Sequence, residues 1–205
     1  MAPKVSEEHK EQRRLSILDA AKEIFTVKGY NAFVMQDVIE ATGMSRGGVY
    51  QYFSNKEELF LAVLELSQER SKKEINDIIE SSKPIWEELK EMAEEFNDIQ
   101  EGDYSFGAAQ IEFNLADRHL PHKQEFMKKR MKWAMTLYTD LFNEGVSRGE
   151  FSPKVPLEHI ASYHITFLDG LSIERIFLKA QELSINEQIT LFLSHLKTML
   201  GVKEA

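Results

Sequence analysis

The 205-residue sequence contains no cysteine, which excludes a disulfide framework, a thiolate metal site and a cysteine nucleophile together. It also lacks any stretch near the roughly 18 uninterrupted apolar residues of a membrane span. The opening Met1-Ala2-Pro3-Lys4-Val5-Ser6-Glu7-Glu8 has no apolar core of the kind a secretory leader needs, so a globular cytoplasmic protein is expected. Alternating Val/Ile-rich runs bounded by turn residues are missing, and with them the signature of a sheet. No Gly-x-Ser-x-Gly elbow and no phosphate-cradling glycine loop occurs, so nothing points to an enzyme or to a cofactor. Asp117, His119 and His122 are spaced loosely enough to suggest a metal site, but Pro121 breaks the helix between them and a solvated loop is the expectation.

Positive charge is also scarce. The formal net charge is −9, yet residues 1–60 carry eight Lys/Arg against nine Asp/Glu, leaving 17 against 25 for residues 61–205. The acid therefore sits in the back two-thirds. Any nucleic-acid binding by the front third must rest on locally placed cations rather than on a uniformly basic domain.

What is present is helical periodicity almost throughout, with 42% hydrophobic residues to build a core. About nine helices are predicted. The first runs from about Glu11 to Lys28, with Ile17, Ala20, Ala21, Ile24 and Phe25 on one face, and Gly29 stands where a left-handed C-terminal cap is wanted. Breaks fall at Ser82-Lys83-Pro84, Glu101-Gly102-Asp103, Leu120-Pro121 and from Arg148 to Pro153. Residues 122–148 place Met127, Met131, Ala134, Tyr138 and Leu141 on one stripe of a long amphipathic helix. Residues 157–180 and 185–200 are apolar on more than one face, with Ile185, Ile189, Phe192, Leu196 and Met199 as one seam. Such helices are expected to be covered twice, by their own core and by a second copy of the chain.

Residues 35–53 separate into a helix over 35–41, a turn at Gly43 and a helix over 46–53 that Ser45 caps. This is a helix-turn-helix, in which Val38, Ala41, Met44 and Val49 are expected to lock two short helices together. The outward residues of the second helix are Arg46, Gly47, Gly48, Tyr50, Gln51 and Tyr52. Arginine donates to guanine, glutamine pairs with adenine, and two glycines let the backbone approach base edges. Ser54-Asn55-Lys56-Glu57 opens the next helix, and Lys56 at its start suits a DNA phosphate.

With these residues in place, the run Ile17-Leu18-Asp19-Ala20-Ala21, Ile24-Phe25, Lys28-Gly29-Tyr30, Asp37-Val38, Gly43 to Phe53 and Lys56-Glu57-Glu58-Leu59 resembles the DNA-binding domain of the TetR regulators. A looser similarity recurs at Glu144-Gly145-Val146, Gly149-Glu150-Phe151 and Asp169-Gly170-Leu171. The resemblance implies an all-α protein with an N-terminal three-helix helix-turn-helix domain at residues 1–62 and a helical effector-binding and dimerisation domain at 63–205. It implies that Tyr50 and Tyr52 touch sugar-phosphate, that Lys56 binds phosphate, and that Arg46, Gly47, Gly48 and Gln51 face bases. Val34 departs from the family, which usually caps its second helix there with a threonine that also bonds phosphate.

The implied function is that of a homodimeric repressor on a palindromic operator, released by a small, largely hydrophobic effector bound between the helices of residues 85–178. Phe96, Phe113, Trp133, Tyr138 and Phe167 would line that site, with Glu112, His164 and Asp169 as polar groups that need partners if buried. The alternative is a constitutive DNA-binding regulator that senses no small molecule.

Overall fold

The computed structural model describes residues 7–94, 106–116, 118–178 and 181–203. Nine helices lie among them: α1 (Glu7–Ala32), α2 (Met35–Thr42), α3 (Arg46–Tyr50), α4 (Lys56–Glu80), α5 (Ile85–Glu94), α6 (Phe106–Leu115), α7 (Pro121–Ser147), α8 (Leu157–Glu174) and α9 (Ile185–Leu200). The only bridge outside helices in these residues is a single antiparallel pair, Phe151 with Val202. Two compact units form.

The boundary expected after residue 62 falls inside α4. The first unit extends to Arg70 and also takes in residues 106–113 of α6. Its core is made by Ile17, Leu18, Ala21 and Phe25 of α1, with Phe33, Val38, Val49, Phe53, Leu59 and Phe60, all buried. Phe25 stacks on Phe33 at 4.0 Å and meets Phe60 edge-on at 4.7 Å. Phe113 completes the cluster, 4.8 Å from Phe60 and 5.0 Å from Tyr30. Aromatic pairs at these separations add about 0.5–1.5 kcal/mol each beyond their buried area.

The second unit spans residues 71–94 and 114–203. Here α7 packs on α8, α8 on α9, and α5 on both α7 and α9. Ile75, Ile85, Leu89, Leu141, Phe142, Ile160, Phe192, Leu196 and Leu200 fill its core. Two glycines are demanded by close approach. A Cβ on Gly145 would lie 2.2 Å from the Phe151 ring, and one on Gly201, whose φ is +60°, would lie 2.1 Å from the Ser152 carbonyl oxygen. These glycines let the chain after α7 and after α9 fold back against the bundle, and the Lys203 N–H donates to the Glu150 carbonyl at 2.9 Å.

Of the α9 seam, Ile185, Ile189, Phe192 and Leu196 are buried within the protomer and Met199 is half-buried, while Leu200, off that seam, is buried too, so Leu196 belongs to the chain's own core. The apolar side chains left outside in this region are Leu191 on α9, 60% exposed, and Ile173, Phe177 and Leu178 at and after the end of α8, 41%, 78% and 44% exposed. α8 ends at Glu174, short of the expected residue 180, and continues as turns through Phe177.

Candidate nucleic-acid interface

The helix-turn-helix is built almost wholly by local bonds. α2 ends on Gly43 at φ +63°, a left-handed conformation that glycine adopts without steric cost, and the Gly43 N–H donates to the Glu40 carbonyl at 3.3 Å. The Thr42 hydroxyl donates back to the Val38 carbonyl at 2.7 Å. Ser45 caps α3 as expected, its side chain accepting the Gly48 N–H at 3.2 Å. Val38 and Val49 are the buried contacts of the pair; Met44 is half-buried, and Ala41, expected to join them, is exposed.

At the start of α2, Val34 stands where the family has its capping threonine, and its side chain makes no cap bond. Asp37 does the work from inside the helix. Its carboxylate accepts the Val34 N–H at 3.0 Å and an ion-paired bond from Lys28 Nζ at 2.6 Å. Burial pushes the Asp37 carboxyl up, but the bonds from Lys28 and the Val34 N–H outweigh it and hold it below the usual range. The bond replaces the cap but not the phosphate contact, because Val34 has no donor to offer.

α3 ends at Tyr50, short of the expected residue 53; Arg46, Gly47 and Tyr50 on it and Gln51 at its C-cap are exposed, with Gly48 and Tyr52 half-buried. Nothing lies within 4 Å of a Cβ built on Gly47, so a partner surface could approach the backbone there. The Arg46 guanidinium lies over the Tyr50 ring at 5.3 Å. Arg13 of α1 joins Thr42, Gly43, Met44, Ser45 and Gly48 around a cleft of about 400 Å³. No sequence motif marked it, because its place beside the turn depends on how α1 packs against α2.

Lys56 is more committed than its sequence context suggested. Its Nζ donates to the Tyr30 carbonyl at 3.0 Å and the Asn31 carbonyl at 3.4 Å, and lies 4.4 Å from the centre of the Tyr30 ring. Two of its three donors are thus spent on holding the end of α1. Asn55 caps α4 by accepting the Glu58 N–H at 2.9 Å, while the Glu58 carboxylate accepts from the Ser54 N–H and hydroxyl.

The end of α1 is clasped from the other side by α6. Glu112 accepts the Asn31 N–H at 2.8 Å, and its carboxylate fills the space beside Gly29, where a Cβ would stand 2.7 Å from Oε1. Gly29 has φ +76° and ψ 173°, a region essentially confined to glycine. Glu112 and Phe113, expected at an effector site, therefore belong to the DNA-binding unit. Both point at the α1 terminus because a helix read as part of the second domain docks on the first.

The remaining expected effector residues fall in the second unit. Tyr138 of α7 and His164 of α8 have ring centres 4.2 Å apart, and His164 lies 5.3 Å from Phe192, on which Phe167 stacks at 4.3 Å. Asp169 takes a bidentate pair of bonds from Arg130, at 2.6 and 3.0 Å. Burial, reinforced by Asp169 and partly offset by Arg130, pushes the Tyr138 hydroxyl up to about 12. Burial alone pushes the His164 imidazole down to about 3. Trp133 is half-buried on α7. Phe96 lies outside the described residues. Among those described, no group of three metal-ligating side chains converges, and no helix is long and apolar enough to cross a membrane.

Comparison with known proteins agrees with this geometry. Residues 17–63 match the family model for bacterial regulatory proteins of the tetR family, and residues 87–186 match the model for a tetracyclin repressor-like C-terminal domain. The chain belongs to the TetR family. It is 29% identical, over the whole of both chains, to the uncharacterized HTH-type transcriptional regulator YfiR of Bacillus subtilis (strain 168). The HTH-type transcriptional repressor AcnR of Corynebacterium efficiens is 27% identical, with 87% of this chain and 89% of AcnR covered. Among solved structures, reduced NemR of E. coli superimposes with a TM-score of 0.74 at 14% identity, over 95% of this chain and all of NemR. GusR of Salmonella enterica gives 0.68 at 21% identity, over 96% and 98% of the two chains. At such identities these structures speak for the fold alone. TetR-family members are helix-turn-helix transcription regulators, not enzymes.

Proposed function

We propose that this TetR-family regulator is a repressor that holds a palindromic operator as a homodimer and releases it when a small, largely apolar molecule enters the second unit. The observation that carries the DNA-binding part is the exposed face of α3, where Arg46, Tyr50 and Gln51 surround an unobstructed Gly47 on a turn fixed by Gly43 and Ser45. Arg46 and Gln51 read base edges, Tyr50 and Tyr52 and the third donor of Lys56 meet the backbone, and Arg13 adds a phosphate contact.

The dimer reading draws on what α8 and α9 leave uncovered. Tyr163, Thr166, Gly170 and Ile173 recur at steps of three and four along one side of α8, Phe177 follows in the turns after it, and nothing lies within 4 Å of a Cβ on Gly170. With Leu191 on α9 they form a self-complementary surface whose small centre allows close helix crossing. The effector reading draws on His164, buried among aromatic rings, with half-buried Tyr138 against it and Asp169, also half-buried, on the same helix as His164. The larger cleft of about 620 Å³ lined by Trp86, Lys90, Arg148 and Lys197 fits it less well. Its charges are largely matched, Lys90 to Glu87 at 2.6 Å and Arg148 to Glu144 at 2.8 Å.

The test is sequencing of DNA selected by the purified protein, followed by operator release in a library of apolar compounds. An inverted repeat with half-sites about one helical turn or a multiple apart is expected, because a two-fold protein presents two related helices. Selected sites without dyad symmetry refute the dimeric operator. A regulator that no compound displaces is a constitutive one.

A further inference from the structure

The polar group buried deepest in the second unit narrows the chemistry of what would bind there. His164 is 6% exposed, and neither Nδ1 nor Nε2 meets a hydrogen-bond partner among the described residues. Three aromatic rings surround it: Tyr138 at 4.2 Å, Phe192 at 5.3 Å and Phe142 at 6.1 Å. They supply flat apolar surface, and none of their carbon faces is a strong acceptor. The imidazole is neutral throughout the physiological range, so it carries one N–H and one lone pair. Buried groups of this kind are nearly always matched, and a ring needed only for packing could be phenylalanine.

The two charges that act on the neighbouring Tyr138 hydroxyl, Asp169 and Arg130, are matched to each other. Arg130 and Asp169 are bound to each other by two bonds, so neither is left to neutralise a charged guest without breaking that pair. A carboxylate or an ammonium would be desolvated and could draw no counter-ion from that pair.

We propose that His164 is the hydrogen-bonding anchor of the effector site, and that the site takes an uncharged, ring-bearing molecule whose hydroxyl bonds the imidazole while its ring packs among Tyr138, Phe142 and Phe192. This rests on the effector reading above and specifies its ligand class. The hydroxyl donates to the bare ring nitrogen or accepts from the protonated one, and the aromatic walls exclude competing water.

The experiment uses the full chain and a panel of one- to three-ring phenols, each matched with its O-methyl ether, which keeps the ring but removes the donor. Affinities are measured by calorimetry for the wild type and His164→Phe. Nitrogen chemical shifts of labelled histidine, in the wild type alone, report the bond even if the variant folds poorly. At least one phenol should bind ten times or more tightly than its ether and shift a buried imidazole nitrogen, and His164→Phe should reduce that preference to under twofold. The inference is overturned if no phenol binds, if phenols and ethers bind alike, or if the preference survives in His164→Phe. Operator affinity measured alongside separates the two readings. Phenols and ethers that release DNA equally leave the effector reading standing and remove the role of His164. A selective phenol that leaves operator affinity untouched does the reverse.

Discussion

The two units of this chain handle polar groups in opposite ways. In the first, the starts of α2, α3 and α4 are each fixed by a short local bond: Asp37 to Val34, Ser45 to Gly48, Asn55 to Glu58. Its functional side chains stand on the surface of that frame. In the second, an apolar packing of helices encloses an imidazole with no hydrogen-bond partner among the described residues. A rigid exposed reader and a core with an unmatched polar group are what a protein needs if one part must present a fixed shape to DNA and the other must respond to what enters it.

The sharpest way to break the comparison is to place charge on α9. Leu196→Glu should unfold the second unit, costing roughly 4 kcal/mol or more, because it puts a carboxylate into a closed core. Leu191→Glu should leave the protomer's helicity and melting almost unchanged and yield monomers. Circular dichroism with sedimentation velocity separates the two. Folded monomers from Leu196→Glu would contradict the assignment of that residue to the protomer core.

Next in size is the clasp on the end of α1. Gly29→Ala forces a side chain into a glycine-only conformation and should cost about 1–3 kcal/mol. Glu112→Ala removes the acceptor of the exposed Asn31 N–H, which water can then reach, a net loss of about 0.5–1.5 kcal/mol. Hydrogen exchange at the Asn31 amide should be slow in the wild type and much faster in Glu112→Ala. Equal exchange in both would mean that the clasp is not formed in solution.

A third effect of similar size depends on pH. The His164 imidazole is depressed in the folded chain from about 6.5 to about 3, so between those values the unfolded chain binds one more proton than the native one. Stability is then greatest above about 6.5 and falls as pH drops, by about 1.4 kcal/mol per unit, or about 2 kcal/mol between pH 7 and 5. His164→Phe should remove that slope from urea titrations at several pH values. Asp37 adds a smaller loss of the same sign, since its lowered carboxyl gives up stability as pH falls through its folded value.

Much of the first unit was legible in the sequence because its structure is set by nearest neighbours. Gly43, Ser45 and Val49 specify a turn and two short helices within a dozen residues, and the boundaries of α2 fall within one residue of expectation. Contacts between distant segments were not legible. Nothing in residues 106–113 announces that they dock on α1, so Glu112 and Phe113 looked like pocket residues. The engagement of Lys56 with Tyr30 and Asn31 is likewise a product of packing. On α9, spacing identified Ile185, Ile189, Phe192 and Leu196 as one seam, but a periodic stripe states only that a face is covered, not by which neighbour. His164 stood out as a polar residue in an apolar helix, and burial without a partner is what gives that position its meaning.

The most local effect concerns single base pairs, and it bears most directly on the claim that α3 reads DNA. Sites selected by the wild type and by Gln51→Ala should be sequenced side by side at one salt concentration. The wild type should recover an inverted repeat, and Gln51→Ala the same repeat with preference relaxed at one position in each half-site, a change of about 1–3 kcal/mol per lost bidentate pair. An unchanged motif, or a uniform loss of affinity with no position relaxed, would contradict the assignment of α3 as the reading helix.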